Sequence, residues 1–192
     1  MSWHIVRLTD SPAQAWKNGG GLTRELLAWP SASDWRIRLS VADVTANGPF
    51  SAFEGVQRWF AVLEGDGVCL TVDGAATELL PASLPFAFAG DASTDCALLG
   101  GPTQDFNLML RGPSGRLQRV RGQAQGSLAI FQPQSAIHLI AAYAIDTSAT
   151  AGFNQDICLL EPGTLAWRTV DSNTASTWSL EADNALWMEM TL

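Results

Sequence analysis

Residues 58–74 read Arg-Trp-Phe-Ala-Val-Leu-Glu-Gly-Asp-Gly-Val-Cys-Leu-Thr-Val-Asp-Gly, and this stretch decides the fold class. Arg58, Phe60 and Val62 fall on one side of an extended run. Trp59, Ala61 and Leu63 fall on the other, the period-two alternation of a strand. Gly65-Asp66-Gly67 turns the chain. Val68-Cys69-Leu70-Thr71-Val72 then runs into Asp73-Gly74, a pair suited to a type I′ hairpin because both central positions need φ > 0. Strand, turn, strand and hairpin follow one another too closely for a helix to intervene.

Working outward, the same punctuation recurs. Asn47-Gly48-Pro49, Gly90-Asp91, Gly100-Gly101-Pro102, Pro162-Gly163 and Asp183-Asn184 separate short runs rich in Val, Leu, Ile, Phe and Trp. This is the pattern of an all-β sandwich or barrel. In 35–42, Trp35, Ile37, Leu39 and Val41 oppose Arg36, Arg38, Ser40 and Ala42. In 105–111, Asp105, Asn107, Met109 and Arg111 oppose Phe106, Leu108 and Leu110. Two segments read otherwise. Ser135–Ala144 is the best helix candidate, although its β-branched and aromatic residues also suit a strand. Ser11-Pro12-Ala13-Gln14-Ala15 reads as one helical turn, capped by Ser11 with Pro12 first. The richest turn cluster, Gly112-Pro113-Ser114-Gly115, places a domain boundary there, dividing the chain into 1–112 and 113–192. Leu63-Glu64-Gly65 and Leu160-Glu161-Pro162-Gly163 each end an apolar run in an acidic turn, a hint of a duplicated β unit.

The chain has 192 residues, with 11 Lys and Arg against 19 Asp and Glu, a net charge of −8. That balance argues against nucleic acid and anionic membrane surfaces, which demand basic patches, but leaves room for a local cationic pocket. Hydrophobic residues at 47% and charged ones at 16% mark a globular chain. No apolar segment reaches the length that spans a bilayer. Cys69, Cys96 and Cys158 are far apart, which suits reduced thiols. Met1-Ser2-Trp3-His4 leads straight into a strand-like run without a signal-peptide pattern, so a cytoplasmic location is expected.

Chemistry concentrates at 16–25, Trp-Lys-Asn-Gly-Gly-Gly-Leu-Thr-Arg-Glu. Three glycines allow close backbone approach, and cations, an amide, a hydroxyl and a carboxylate surround them. A glycine-rich surface loop with scattered charge reads the same way. The phosphate-loop order is absent, since Lys17 precedes the glycines. His4 and His138 are the two histidines, so a three-histidine metal site cannot form within one chain. There is no Gly-x-Ser-x-Gly elbow. Ser51, between Phe50 and Phe53, suits a hydroxyl that satisfies local backbone. Eight scattered tryptophans suit core packing better than a sugar platform.

Anion recognition has better support. Arg24, Arg36, Arg38, Arg58 and Arg111 lie on or beside expected strands, and a guanidinium fork pairs bidentately with a carboxylate. Arg58 stands just before the apolar run 59–63. A poorly solvated arginine there needs a partner, either a ligand carboxylate or Glu25 or Asp105. A structural ion pair is as ordinary a role as a ligand contact. Arg38 reads as solvent-facing. Asn107, facing the same way as Met109, can bring an amide to the same pocket or bond the backbone.

Trp16-Lys17-Asn18-Gly19-Gly20-Gly21 with Thr23-Arg24-Glu25, then Trp35-Arg36, Ser40-Val41-Ala42 and Gly48-Pro49-Phe50-Ser51 with Phe53, Gly55 and Arg58, resemble the HutD/Ves family. The resemblance continues through Leu63-Glu64-Gly65 and Gly100-Gly101-Pro102 to Asp105-Phe106-Asn107-Leu108-Met109, covering about residues 3–111. It implies a bicupin-like fold, two small antiparallel jelly-roll β-barrels in one chain, without cupin metal ligands or any cofactor. It implies a modulator of histidine utilisation that binds urocanate or a formylglutamate-like carboxylate in the N-terminal barrel, 1–112. The pocket candidates it carries over are Asn18, Arg24, Ser51, Phe53, Arg58 and Asn107, with Arg58 as the anchor. Other members are associated with cold and stress response. No catalytic residue is implied, so the chain reads as a binding protein rather than an enzyme. The alternatives are a metal-independent enzyme acting on a small carboxylate through Glu25 and Asp105, or a stress-response interaction protein. Barrels of this kind often pair through edge strands, so a homodimer is a candidate state.

Overall fold

The computed structural model describes residues 2–128, 137–171 and 176–192. The described chain is almost entirely antiparallel strand: β1 (His4–Arg7), β2 (Ala13–Ala15), β3 (Gly21–Trp29), β4 (Ile37–Val44), β5 (Gly48–Pro49), β6 (Val56–Glu64), β7 (Val68–Val72), β8 (Ala75–Leu79) and β9 (Phe86–Ala89). It continues with β10 (Thr94–Leu98), β11 (Thr103–Arg111), β12 (Ser114–Leu128), β13 (Ile137–Ala144), β14 (Ala149–Phe153), β15 (Asp156–Leu160), β16 (Thr164–Asp171) and β17 (Ser176–Thr191). One 3₁₀ turn, Leu8–Asp10, is the helical exception among the described residues. No helix among them is long and apolar enough to cross a membrane.

The chain forms two compact units, Ser11–Gly112 and residues 1–10 together with 113–192. A division at 112 assigns residues 1–10 to the other side; they join 113–192 because β1 hydrogen-bonds to β16, His4 opposite Trp167. Within Ser11–Gly112, a six-stranded sheet in the order β2-β3-β4-β11-β6-β9 stands beside a four-stranded one, β5-β10-β7-β8. Ala42, Val44, Phe60 and Val62 of the first share one buried cluster with Val68, Leu70, Leu79 and Cys96 of the second. The hairpin at 73–74 forms as its residues dictate, with φ of 47° at Asp73 and 83° at Gly74 and Val72 opposite Ala75.

The second unit is one sheet, β1-β16-β13-β17-β14-β15, with β12 also along β17. The pairing scheme of the first unit recurs in it. β17 pairs β12, β13 and β14 as β11 and β10 together pair β4, β6 and β7. β13 pairs β16 as β6 pairs β9, and β14 pairs β15 as β7 pairs β8. Gly100-Gly101-Pro102 interrupts in the first unit what is a single strand in the second.

Two local expectations are corrected. Ser135 and Ala136 lie outside the described residues, and Ile137–Ala144 is strand rather than helix, hydrogen-bonded to β16 and β17 on both sides. Residues 11–15 form no helical turn. Ser11 precedes a proline and is pushed toward extended geometry, and Ala13–Ala15 pairs with β3.

Candidate functional site

A cavity of about 570 Å³ opens in the Ser11–Gly112 unit. Strand alternation makes its floor. Arg38, Ser40, Ala42 and Val44 of β4, Asn107 and Met109 of β11, and Arg58 and Phe60 of β6 all line it, each set spaced by two and facing one way. Register puts Ser40, Asn107 and Phe60 in one row and Arg38, Met109 and Arg58 in the next. The mouth is edged by β2 and the turn after it, with Gln14, Trp16, Lys17 and Asn18, and by Phe50, Ser51 and Phe53. The glycine run shapes that turn: a Cβ on Gly21 would strike the carbonyl of Asp43 and lie 3.2 Å from the Trp16 ring. Trp16 is fixed by donating Nε1–H to Thr23 Oγ1 at 2.8 Å and meets Phe50 edge-on at 6.2 Å.

Arg58 is the most constrained charge in the cavity. It is 6% exposed and donates from Nη2 to Asn107 Oδ1 at 2.9 Å. The rings of Phe88, Phe50 and Phe53 surround its guanidinium at 4.9, 5.1 and 5.8 Å. Its Nε finds no acceptor, and among the described residues no carboxylate lies within ion-pair distance. Burial pulls its pKa down to about 10, and the nearby charge of Arg38 lowers it further within that figure. It therefore stays cationic at neutral pH. The aromatic faces supply about 0.5–2 kcal/mol of cation–π attraction, less than the hydration lost. Because Asn107 spends its carbonyl on Arg58, its amide N–H groups remain available toward the cavity.

The two acids that could have paired with Arg58 are occupied elsewhere. Glu25 accepts from Arg38 Nε at 2.7 Å. Asp105 is fully buried and accepts from the Thr103 hydroxyl at 2.7 Å, while its Oδ1 has no partner. Burial pushes the Asp105 carboxyl up, with the Thr103 bond opposing and the charge of Asp43 assisting, to about 7. Asp105 is not in the cavity wall.

Of the residues singled out from the sequence, Arg58, Asn107, Asn18, Ser51 and Phe53 line the cavity and Arg24 does not. Arg24 alternates with Thr23, which faces in. It points away and binds Asp43 at 2.6 Å, whose other oxygen accepts from Gln104 at 2.9 Å. Asn18 turns its Oδ1 back onto the Gly20 N–H at 3.0 Å. Arg38, expected to face solvent, is in the wall with 21% of its side chain exposed. Arg111 instead stacks over Trp35 at 4.2 Å. Sequence reasoning missed Trp16, Lys17, Ser40 and Phe50 as wall residues. Ser40 and Arg38 share the inward parity of Ala42, a signal that was readable. Among the described residues no cluster of three or more His, Cys, Asp or Glu could hold a metal. His4 stacks on Trp167 at 4.3 Å.

The HutD family model matches residues 8–189. The chain belongs to the HutD family. A Pseudomonas putida relative, an uncharacterized 21.2 kDa protein in the hutC 3′ region, is 38% identical over 143 residues, 72% of this chain and 73% of its own. Protein Ves of Citrobacter koseri is 41% identical over 102 residues, 52% of this chain and 53% of Ves, so that match spans about half of either protein. The solved structure of HutD from Pseudomonas fluorescens SBW25 is 30% identical, covers 98% of both chains and superposes with a TM-score of 0.82. The HutD family is associated with histidine utilisation. Its fold here is all-β with antiparallel sheets; the structure of protein Ylba from E. coli, 10% identical, superposes with a TM-score of 0.65, a likeness of fold alone.

Proposed function

We propose that this HutD-family chain binds a small carboxylate in the cavity of the Ser11–Gly112 unit and thereby modulates histidine utilisation, with urocanate or a formylglutamate-like compound as the ligand. We read the repeated pairing scheme as two cupin-like barrels, the first carrying the site. One observation supports this above the others: Arg58 is buried at the wall of an open cavity and has no carboxylate of the protein beside it. A desolvated guanidinium caged by three phenylalanine rings is a poor structural element and a good receptor. Arg58 and Asn107 both line the cavity, and each charge-assisted hydrogen bond to a carboxylate contributes about 1.5–3 kcal/mol. Ser51 and Asn18 at the mouth add polar contacts, and Phe53 covers the anchor. An acid–base enzyme has weaker support, because Glu25 is tied to Arg38 and Asp105 does not line the cavity.

Calorimetric titration with urocanate and with N-formylglutamate tests the proposal. Arg58→Ala should weaken binding by about 100-fold or more, the loss of two such bonds, with an unchanged circular dichroism spectrum. Unaltered affinity in that variant would remove Arg58 as the anchor. Product formation from either compound would favour the enzyme reading.

A further inference from the structure

We propose that β15 is an edge at which this chain pairs with a second copy of itself, the two Asp156–Leu160 strands running antiparallel about a two-fold axis at Cys158. This surface is separate from the cavity and does not depend on the carboxylate-binding reading.

The molecule carries its own control for that edge. β8 and β15 hold the same place in the two pairing schemes. Each is the last strand in the order of its sheet, and each follows a two-residue turn from the strand it pairs with. Residues 156–160 therefore match 75–79 position by position. Exposure alternates identically along both, ending in Leu79 and Leu160, which are buried on the inner face. The outward residues differ. β8 turns Ala76 and Glu78 to the outside, and a charge on an edge resists further pairing. β15 turns out Ile157 and Leu159, 68% and 79% exposed. Residues 154–161 contain no Lys, Arg or Pro, and β15 pairs with β14 without a register shift, so the usual guards of an edge are missing. Among the described residues no strand pairs with the other side of β15.

The sheet to which β15 belongs does not cover these two side chains. Gly152 stands opposite Ile157, and Thr150 opposite Leu159. Apolar cover has to come from the free side. A two-fold axis perpendicular to the sheet keeps the same face outward in both copies. Ile157 of each copy then lies beside Leu159 of the other, and four apolar side chains form one cluster. Such a contact is self-complementary and closes at two copies.

Charge selects the same partner and the same register. With a net charge of −8, the chain repels its own kind over most of its surface. Along β15 the acids are already engaged. Asp156 accepts from Arg168 at 2.7 Å, and Glu161 lies 3.5 Å from Arg7. With the axis at Cys158, Asp156 falls opposite Leu160, and Glu161 opposite Gln155, whose amide can donate to it. No two acids face each other, the arrangement that destabilises paired strands. An axis at Leu159 would set Glu161 against Ile157, and one at Ile157 would set Leu159 against Gln155.

The test is sedimentation of the full chain from about 1 μM to about 0.1 mM, where weak self-association shows. The expected result is a dimer that grows with concentration. Ile157→Lys and Leu159→Lys, at exposed positions, should each weaken it by about 10-fold or more, because a charge blunts the edge. Ala76→Lys, at the matching place on β8, should leave it unchanged. Residues directly opposed across antiparallel strands have Cα atoms about 4.5–5.5 Å apart, a span that a disulfide bridges. Mild oxidation with copper–phenanthroline should therefore link two chains through the half-buried Cys158, and Cys158→Ser should abolish that link. A chain that stays monomeric throughout would overturn the proposal and give the strand to a different partner. A dimer that survives both lysine variants would overturn it too, since another surface would hold it. A dimer dispersed by Leu159→Lys but never linked through Cys158 would overturn the pairing centred there.

Discussion

The two units use one strand-pairing scheme to opposite ends. In Ser11–Gly112, the inward faces of β4, β6 and β11 carry Arg38, Ser40, Arg58, Asn107 and Met109, and a cavity remains. In the other unit, the sheet built on β13 and β17 packs Ile140, Ala142, Ala144, Ala151, Ala166 and Ala185 around Trp178 and Trp187. The two indoles stack at 4.3 Å with planes 17° apart, and Trp187 is wholly buried. Small alanines make room for large rings, and the interior closes. The comparison teaches that topology supplies a wall with two faces, and the inward side chains alone decide whether it surrounds a site or a core. Polar groups at those positions need partners, and where the protein supplies too few, space is left for a guest.

The largest expected effect lies in the filled unit. Trp187→Ala should destabilise the chain by about 3–5 kcal/mol, the loss expected for a buried Trp with its cavity, seen as a lower midpoint in urea. If the cost is under 1 kcal/mol, the indole pair does not hold that interior. Next in size is Gly126→Ala. Gly126 pairs with Trp178 across β12 and β17, and a Cβ there would lie 2.7 Å from the indole Nε1. Trp178 cannot retreat, because Trp187 stacks on its other side. Overpacking of this kind costs about 1–3 kcal/mol, and thermal unfolding measures it.

The cavity unit has its own signature, in pH. Asp105 is an inward acid on β11 whose carboxyl is raised from 3.8 to about 7. The folded chain thus holds a proton that the unfolded chain releases above pH 3.8. The sign follows: this contribution to stability is fully present below 3.8 and is lost as pH rises through about 7. The slope is at most about 1.4 kcal/mol per pH unit. Asp105→Asn, neutral at every pH, should flatten the fall in urea midpoint across that window. A slope identical to wild type would show that Asp105 is ionised in the folded state.

How far this was legible in the sequence depends on range. Residues 58–74 announce strands and a hairpin because alternation and a Asp-Gly pair act locally. Residues 11–15 mislead because a three-residue edge strand exists only through its partner β3. Residues 137–144 mislead because alanine suits helix, and only the two flanking strands make it sheet. The site divides the same way. Arg58 and Asn107 are readable from parity beside apolar runs. Arg24 is misplaced because the family resemblance carried it into the pocket, whereas it alternates with Thr23 and takes the opposite face, Thr23 pairing with Ala42 and Arg24 with Val41. The Arg38–Glu25 pair joins residues on neighbouring strands and needs the register to be seen. Trp16 and Phe50 become cavity walls only when distant loops meet.

The smallest effect is the sharpest for the comparison. If the polar interior of the first unit exists for a ligand, Arg58 should contribute nothing to folding. Its guanidinium has given up hydration for one bond to Asn107 and three aromatic faces, and an unpaired buried charge costs free energy. Arg58→Met keeps the volume and the contact with Phe50, Phe53 and Phe88 while removing the charge. It leaves Asn107 short of one donor, which water in an open cavity can replace. The expected change in stability is between zero and a gain of about 1 kcal/mol, opposite in sign to Trp187→Ala, together with lost carboxylate binding. A loss of more than 2 kcal/mol would mean that Arg58 is a structural residue, and that the interiors of the two units differ in composition but not in purpose.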